Sequence, residues 1–403
     1  MHNLHARNTV RYYILLVVLL VFLFFSNDFG LLDVQKTALV TAVGIDREEN
    51  GFIVTSQIAV PQESKQGNAT KSVQLVSRGK TVADAFEEIN AKTGWYPKLV
   101  FCNLIVLGEE TCKKNTFDAL EYFLRDEYLT DNCQITACDG LAKDLLNTSA
   151  LVDSSSGGAI TKILSAHAAR VGTVLPTTLR EFSIGYFGDS KSGYLPLVKT
   201  QPQQENIGSE QAPNPTSQNS SAQSGESEKN PPQNQPVFRA EETALFVNGK
   251  RVGKLTKEET FAFNAVKKEL QLAPYSVTKE DGAHTLSIKQ SAKKLSLEVG
   301  KDGQASLHIR LAVTAGALDD SKALPLDKIQ DSGDIEDGVF AAAEKKLAGE
   351  ISSLFEKARA LNCDIFGVRE LLIKRNSRKL HHVADRLFSN THPLITVRFR
   401  GVR

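Results

Sequence analysis

The sequence has no surplus of charge of either sign. Its 48 Lys and Arg face 47 Asp and Glu, for a net charge of +1. Nucleic-acid binding needs a basic excess or stripe, so nothing in the total points to a nucleic acid as partner. Cysteine is scarce and unpatterned: Cys102, Cys112, Cys133, Cys138 and Cys363 include no C-x-x-C pair. Cys102, inside LVFCNLIVLG, reads as a small buried hydrophobe. Cys133 and Cys138 could bridge in an oxidising compartment, but no disulfide framework surrounds them. Catalytic signatures are missing as well, with no G-x-S-x-G, H-E-x-x-H, Walker sequence or Rossmann glycine pattern. The neighbours His381 and His382 point to different sides of a helix and, with His392, lack a Cys or carboxylate at ligand spacing, so neither metal nor cofactor is expected. The acidic stretch from Asp319 to Asp337 departs from D-x-D-x-D-G and reads as a cap for a following helix.

Against these absences stands one apolar run, Tyr12 to Phe25 (YYILLVVLLVFLFF). Arg7 and Arg11 precede it and Asp28 and Asp33 follow, an asymmetry that keeps the N-terminus in the cytoplasm and exports the rest. The run makes roughly 21 Å of helix, short of the roughly 30 Å hydrocarbon core. Counted from Thr9, with Arg11 snorkelling, it reaches the lower edge of a spanning segment. A cleavable signal would be followed by small residues in an A-x-A pattern, whereas SNDFGLLD follows here. An uncleaved anchor in contact with lipid through Tyr12, Ile14, Leu16, Val18, Leu20, Phe22 and Phe24 is the preferred reading. A cleaved signal and a buried core helix are the alternatives.

The remainder is long enough for two or three domains. Thr37 to Asp46 and Phe52 to Pro61 predict a hairpin, and Ser72 to Ser77 a third strand. A helix starts at the N-cap Thr81 and stops near Gly94, and Lys98 to Leu107 reads as one buried strand. Helical patterns over 108–126, 141–146, 157–172 and 177–187, with a strand over 132–139, imply a mixed sheet with helices packed on it. Gln201 to Pro236 then has only Ile207 as a large apolar residue, the composition of a disordered linker or long surface loop. Order resumes with VFRAEETALFV, an Asn248-Gly249 hairpin turn, and a capping box from Thr256 to Glu259. Alternating runs over 276–315 predict an antiparallel meander, 334–361 a long helix, one or two further helices to about 388, and 391–400 a closing strand. The expected fold class is α+β: a membrane anchor (1–33), a mixed α/β region (34–200, with a subdivision near 147 and 148 left open), a linker (201–236), and a domain with a meander and a long helix (237–403).

Three stretches resemble the Ger(x)C family, the C subunits of bacterial spore germinant receptors. DVQKTALVTAVGIDRE is similar to the family's opening strand, matching at Gly44, Ile45 and Asp46 but lacking its Trp-Asp. ETALFVNGKRVGKLTKEET resembles a family strand pair and helix start through Ala244, Phe246, Val252, Gly253, Leu255, Glu259 and Thr260. CDIFGVRE is close to the family's D-I-F-G-x-G-E, with Asp364, Ile365, Phe366, Gly367 and Glu370 in place and Arg369 where a second glycine is expected. Ser377 and Leu380 stand near where the family tends to have Pro and Trp.

The resemblance implies a three-domain, non-catalytic subunit on the outer face of the spore inner membrane, beside an integral transporter-like subunit and a second polytopic one. It would act in assembly or signalling when nutrient germinants bind. Family members usually carry a lipobox cysteine after the signal, and here the first cysteine is Cys102. The run at Tyr12 would then have to replace the lipid as anchor. Asp364, Phe366, Gly367 and Glu370 can be read in two ways: as a direct contact with another subunit, or as a loop that ends the long helix with Phe366 packed beneath it. A general envelope binding module is the alternative function.

Overall fold

The computed structural model describes residues 12–21, 37–62, 69–150, 153, 155–201, 236–267, 269–279, 282–300, 304–320, 337–376 and 384–401. Residues 12–21 form a helix, α1, with ten successive apolar side chains each 49–73% exposed. Ten helical residues span only about 15 Å. Among the described residues no helix is long and apolar enough to cross a membrane. Phe22 and Phe24 of the expected anchor lie outside the described residues, as do 202–235 of the linker, most of the acidic stretch, Ser377, Leu380, His381 and His382.

The β-branched runs after residue 37 form the expected hairpin, β1 (Thr37–Glu48) with β2 (Gly51–Gln62), and β3 (Ala69–Gly79) adds to its edge. The helix α2 (Val82–Thr93) begins in a Thr81–Asp84 capping box and ends at Gly94, whose φ of 72° suits glycine. A single strand was expected over 98–107, but two form, β4 (Tyr96–Lys98) and β5 (Leu104–Leu107), both parallel to β1. Thr37 pairs with Tyr96 and Ala42 with Leu104, so five steps on β1 meet eight on its partner and the surplus loops out at 99–103. The helix expected over 108–126 is likewise two, α3 (Glu109–Lys113) and α4 (Phe117–Arg125). Thr116 breaks it by donating both its backbone N–H and its hydroxyl to the Gly249 carbonyl, each at 2.9 Å.

Next come β6 (Gln134–Cys138), α5 (Ala142–Asn147), α6 (Ser156–Ile163) and α7 (Ala166–Arg170). The last two replace the single helix expected over 157–172, because the Ser165 hydroxyl caps the new turn at Ala168 N–H. A short β7 (Thr177–Thr178) leads through a Thr178–Glu181 capping box into α8 (Leu179–Phe187). After it runs β8 (Ser192–Gln201), for which the sequence reading had no strand. Beyond the linker, β9 (Val237–Val247) and β10 (Lys250–Leu255) complete a ten-stranded sheet of order β10-β9-β8-β6-β5-β1-β2-β3, with β4 on β1 and β7 on β6. The first sheet thus takes strands from both sides of 202–235 and ends with β10. Strands from both sides of the linker also share an ion network: Arg251 to Asp139 (2.8 Å), Asp139 to Lys199 (3.3 Å), and Lys199 and Lys254 to Glu242 (2.6 and 3.0 Å).

The second sheet is the expected meander, β11 (Ala273–Lys279), β12 (Gly282–Val299) and β13 (Ala305–Asp320), closed by β14 (Thr391–Gly401) parallel to β13. The helix α9 (Lys257–Lys267) enters it, and α10 (Asp337–Ala360) covers it with Val339, Ala343, Leu347, Ile351, Leu354, Phe355 and Ala358, all buried. Full burial of one large side chain of this kind is worth about 1.5–3 kcal/mol. Two short helices, α11 (Val368–Asn376) and α12 (Ala384–Ser389), connect α10 to β14. All five cysteines are buried free thiols, so the Cys133–Cys138 bridge entertained from the sequence is not formed.

Candidate functional site

The three family-like stretches lie at places where distant parts of the chain are fastened together. The first ends β1. Asp46 is only 2% exposed, and its carboxylate accepts from Ala142 N–H (2.7 Å) and Lys143 N–H (2.9 Å) at the start of α5. Helix α5 has no side-chain cap of its own, so a residue 96 positions away supplies it. Two glycines make room. A Cβ at Gly108 would sit 1.9 Å from Asp46 Oδ1, and one at Gly44 would meet Leu146 and Ala142 of α5 at 3.0 and 3.1 Å. Burial raises the Asp46 pKa above its ordinary 3.8, against the opposing pull of the two backbone hydrogen bonds.

The second stretch folds as β9, turn, β10 and the start of α9. Asn248 and Gly249 take φ of 50° and 75°, the paired positive values of a tight hairpin turn. Thr256 and Glu259 exchange capping hydrogen bonds, and Glu259 also receives Lys357 of α10 at 2.6 Å. Thr260 donates to Thr243 Oγ1 (3.1 Å) within the core. At Gly253 a Cβ would come 2.8 Å from Leu361 Cδ1, so glycine admits the end of α10 against β10.

The third stretch, CDIFGVRE, makes that approach into a joint. Cys363 Sγ–H points to the Phe246 carbonyl (3.4 Å) and Asp364 N–H donates to Ser192 Oγ (2.9 Å), so α10 ends against β9 and β8 of the first sheet. The Asp364 carboxylate accepts from Val368 N–H (2.8 Å) and Arg369 N–H (2.7 Å), capping α11. Phe366 packs between Phe263 of α9 and Phe355 of α10, with ring centroids at 5.8 and 5.2 Å. Gly367, at φ 75°, turns the chain into α11. Burial raises the Asp364 pKa, opposed by the cap hydrogen bonds and the Arg369 guanidinium, and pushes the Cys363 thiol up to about 12.

Of the four residues offered as a subunit contact, Asp364 and Phe366 are 2% and 3% exposed, so neither has a surface to present in the folded chain. Gly367 and Glu370 are half-buried beside them. Sequence reasoning missed Ser192, the partner of Asp364. Leu195, Leu197 and Val198 of its strand are buried and signal β structure, but Pro196 argues against an inner strand. The proline is accommodated because β6 pairs with β8 only at Leu197 and Val198.

An open cleft of about 590 Å³ lies at the β1–β2 turn, lined by Arg47, Glu48, Glu49, Asn50, Glu110 and Lys114. Arg47 is already committed, to Asp118 at 2.9 Å and to the face of Phe52 at 4.8 Å. Among the described residues, no group of three or more His, Cys, Asp or Glu is placed to hold a metal ion. The motif aspartates Asp46 and Asp364 are spent on helix N–H groups, an arrangement that holds parts in place.

The fold and its joints therefore define a two-sheet scaffold protein with capping aspartates buried at the seams. Residues 32–200 match the family model for the spore germination protein N-terminal domain, and 241–399 that for the spore germination B3/GerAC-like C-terminal domain. The chain belongs to the Ger(x)C family of spore germination proteins, and its role is that of a germinant receptor C subunit. Its fold is similar to the crystal structure of the GerBC protein at 16% identity, with a TM-score of 0.51 over 89% of this chain and 96% of that one. A comparison with curated proteins finds no match.

Proposed function

We propose that this C subunit is non-catalytic and is held on the outer face of the spore inner membrane by its own N-terminal helix. There it would serve assembly or signalling beside a transporter-like and a polytopic subunit when nutrients bind. The observation that carries the anchored reading is α1, where ten consecutive apolar side chains are 49–73% exposed. Water does not tolerate such a stretch, and lipid does. The non-catalytic reading is supported by Asp46 and Asp364, each engaged with two backbone N–H groups.

The test is to delete the gene, score spores against a panel of nutrients, and sequence the mature N-terminus by mass spectrometry. The expected result is lost germination with at least one nutrient and an N-terminus at or near Met1. Normal germination with every nutrient would overturn the role in assembly or signalling. A mature N-terminus between Ser26 and Asp33 would overturn the anchor.

A further inference from the structure

One end of the first sheet carries exposed aromatic side chains that the core does not use. Trp95 (38% exposed) and Tyr96 (49%) precede and open β4, Val100 (41%) and Phe101 (53%) top the loop pushed out at 99–103, and Tyr128 (52%) follows α4. Lys98 draws two of these segments together, its ammonium lying 4.1 Å from the Tyr128 ring centroid. The surplus that loops out at 99–103 places Val100 and Phe101 beside the start of β5, at the end of the sheet where β1 also begins.

The same end receives the chain from the apolar segment. Thr37, the first residue of β1, pairs directly with Tyr96. Fifteen residues separate α1 from Thr37, so the patch lies within about 50 Å of contour from the apolar helix. Trp and Tyr with an adjacent Lys suit the headgroup region of a bilayer, where each ring keeps an apolar body in lipid and a polar edge in water.

We propose that Trp95, Tyr96, Val100, Phe101 and Tyr128, with Lys98, form a membrane-facing patch that rests the first sheet on the bilayer interface. This rests on the anchored reading above and deepens it, since it fixes which end of the molecule faces lipid. Lys98 is the one cation among these six residues; beside Tyr128, Asp126 and Glu127 outnumber Arg125, and Asp131 is paired with Arg180 at 3.0 Å, so the attraction is to the interface itself and not to anionic charge.

Trp95 is the one tryptophan in the sequence, which makes the test direct. The full chain is reconstituted into phosphatidylcholine vesicles, with and without phosphatidylglycerol, floated on a density gradient, and its tryptophan emission recorded. The expected result is co-flotation with a blue-shifted emission that is quenched by lipid brominated near the glycerol backbone, shielded from aqueous iodide, and similar in both lipids. Phe101→Asp should still float while losing most of the lipid quenching. A chain that fails to float would overturn the anchored reading and the patch with it. A chain that floats with Trp95 still open to iodide would overturn the patch alone and leave that surface to a protein partner.

Discussion

Replacing Asp364 by Ala separates a joint from a docking surface. The substitution removes the acceptor of two short hydrogen bonds, from Val368 N–H at 2.8 Å and Arg369 N–H at 2.7 Å, at a site 2% exposed where water cannot replace it. Losing an N-cap costs about 0.5–2 kcal/mol, and each of the two buried donors left without a partner about 1–3 kcal/mol. These costs fall on the same N–H groups and overlap. Relief of the buried carboxylate, whose pKa burial raises, offsets part of them. The net expectation is a loss of about 2–4 kcal/mol, against a total stability of about 5–15 kcal/mol. With a slope of about 3 kcal/mol per molar, the urea midpoint followed by helix circular dichroism should fall by roughly 1 M. Asp364→Asn keeps one acceptor oxygen and should lose about half as much. An Asp364→Ala protein with an unchanged midpoint that no longer supports germination would refute the reasoning, because the side chain would then be meeting a partner.

Two further outcomes follow from the joint at Asp46. Gly108→Ala places a Cβ 1.9 Å from Asp46 Oδ1, so the cap of α5 must move, and a destabilisation of about 2–4 kcal/mol is expected by urea titration. A loss under about 0.5 kcal/mol would show that this contact relaxes freely. Stability against pH should also differ between wild type and Asp46→Asn. The folded Asp46 carboxyl is held above 3.8, so as pH rises through 3.8 the unfolded chain gives up its proton first. Relative to Asp46→Asn, wild-type stability should therefore fall with pH between 3.8 and the raised folded value, then stay level above it. A difference that grows with pH across that interval would mean that the cap hydrogen bonds outweigh burial.

Features set by neighbouring residues were legible in the sequence. The Thr81 cap, the Asn248-Gly249 turn and the Thr256–Glu259 box each rest on side chains within three residues of one another. Breaks imposed from a distance were not. The helix over 108–126 is cut at Thr116 by a carbonyl 133 positions away, and the one local sign is Asn115, whose Oδ1 accepts from Phe117 N–H at 3.2 Å. The strand over 98–107 splits because its two parts meet β1 in different registers, a property of the pair. The candidate site divides in the same manner. Its residues could be picked out, but an aspartate in a loop after a helix is equally suited to a surface or a seam. Only the approach of Ser192, 172 positions earlier in the chain, decides between them.

Arg369 shows what that decision changes. It stands where the family pattern has a second glycine. The backbone needs no glycine there, since φ at 369 is not positive and the part the position plays in the cap is its N–H, which any residue but proline supplies. The side chain is free to do something else. It is 4% exposed, donates to Asn362 Oδ1 at 2.6 Å and to the Ser190 carbonyl at 3.4 Å, and lies 4.5 Å from the centroid of Phe388. A buried guanidinium is costly unless it is hydrogen-bonded and near an opposite charge, and Asp364 supplies that charge while capping the same helix. Arg369 thus ties the end of α10, the approach to β8 and the helix α12 to a carboxylate already fixed by α11. The residue that departs from the family pattern adds contacts to the seam between the two sheets, and it does so from a position only 4% exposed in the folded chain.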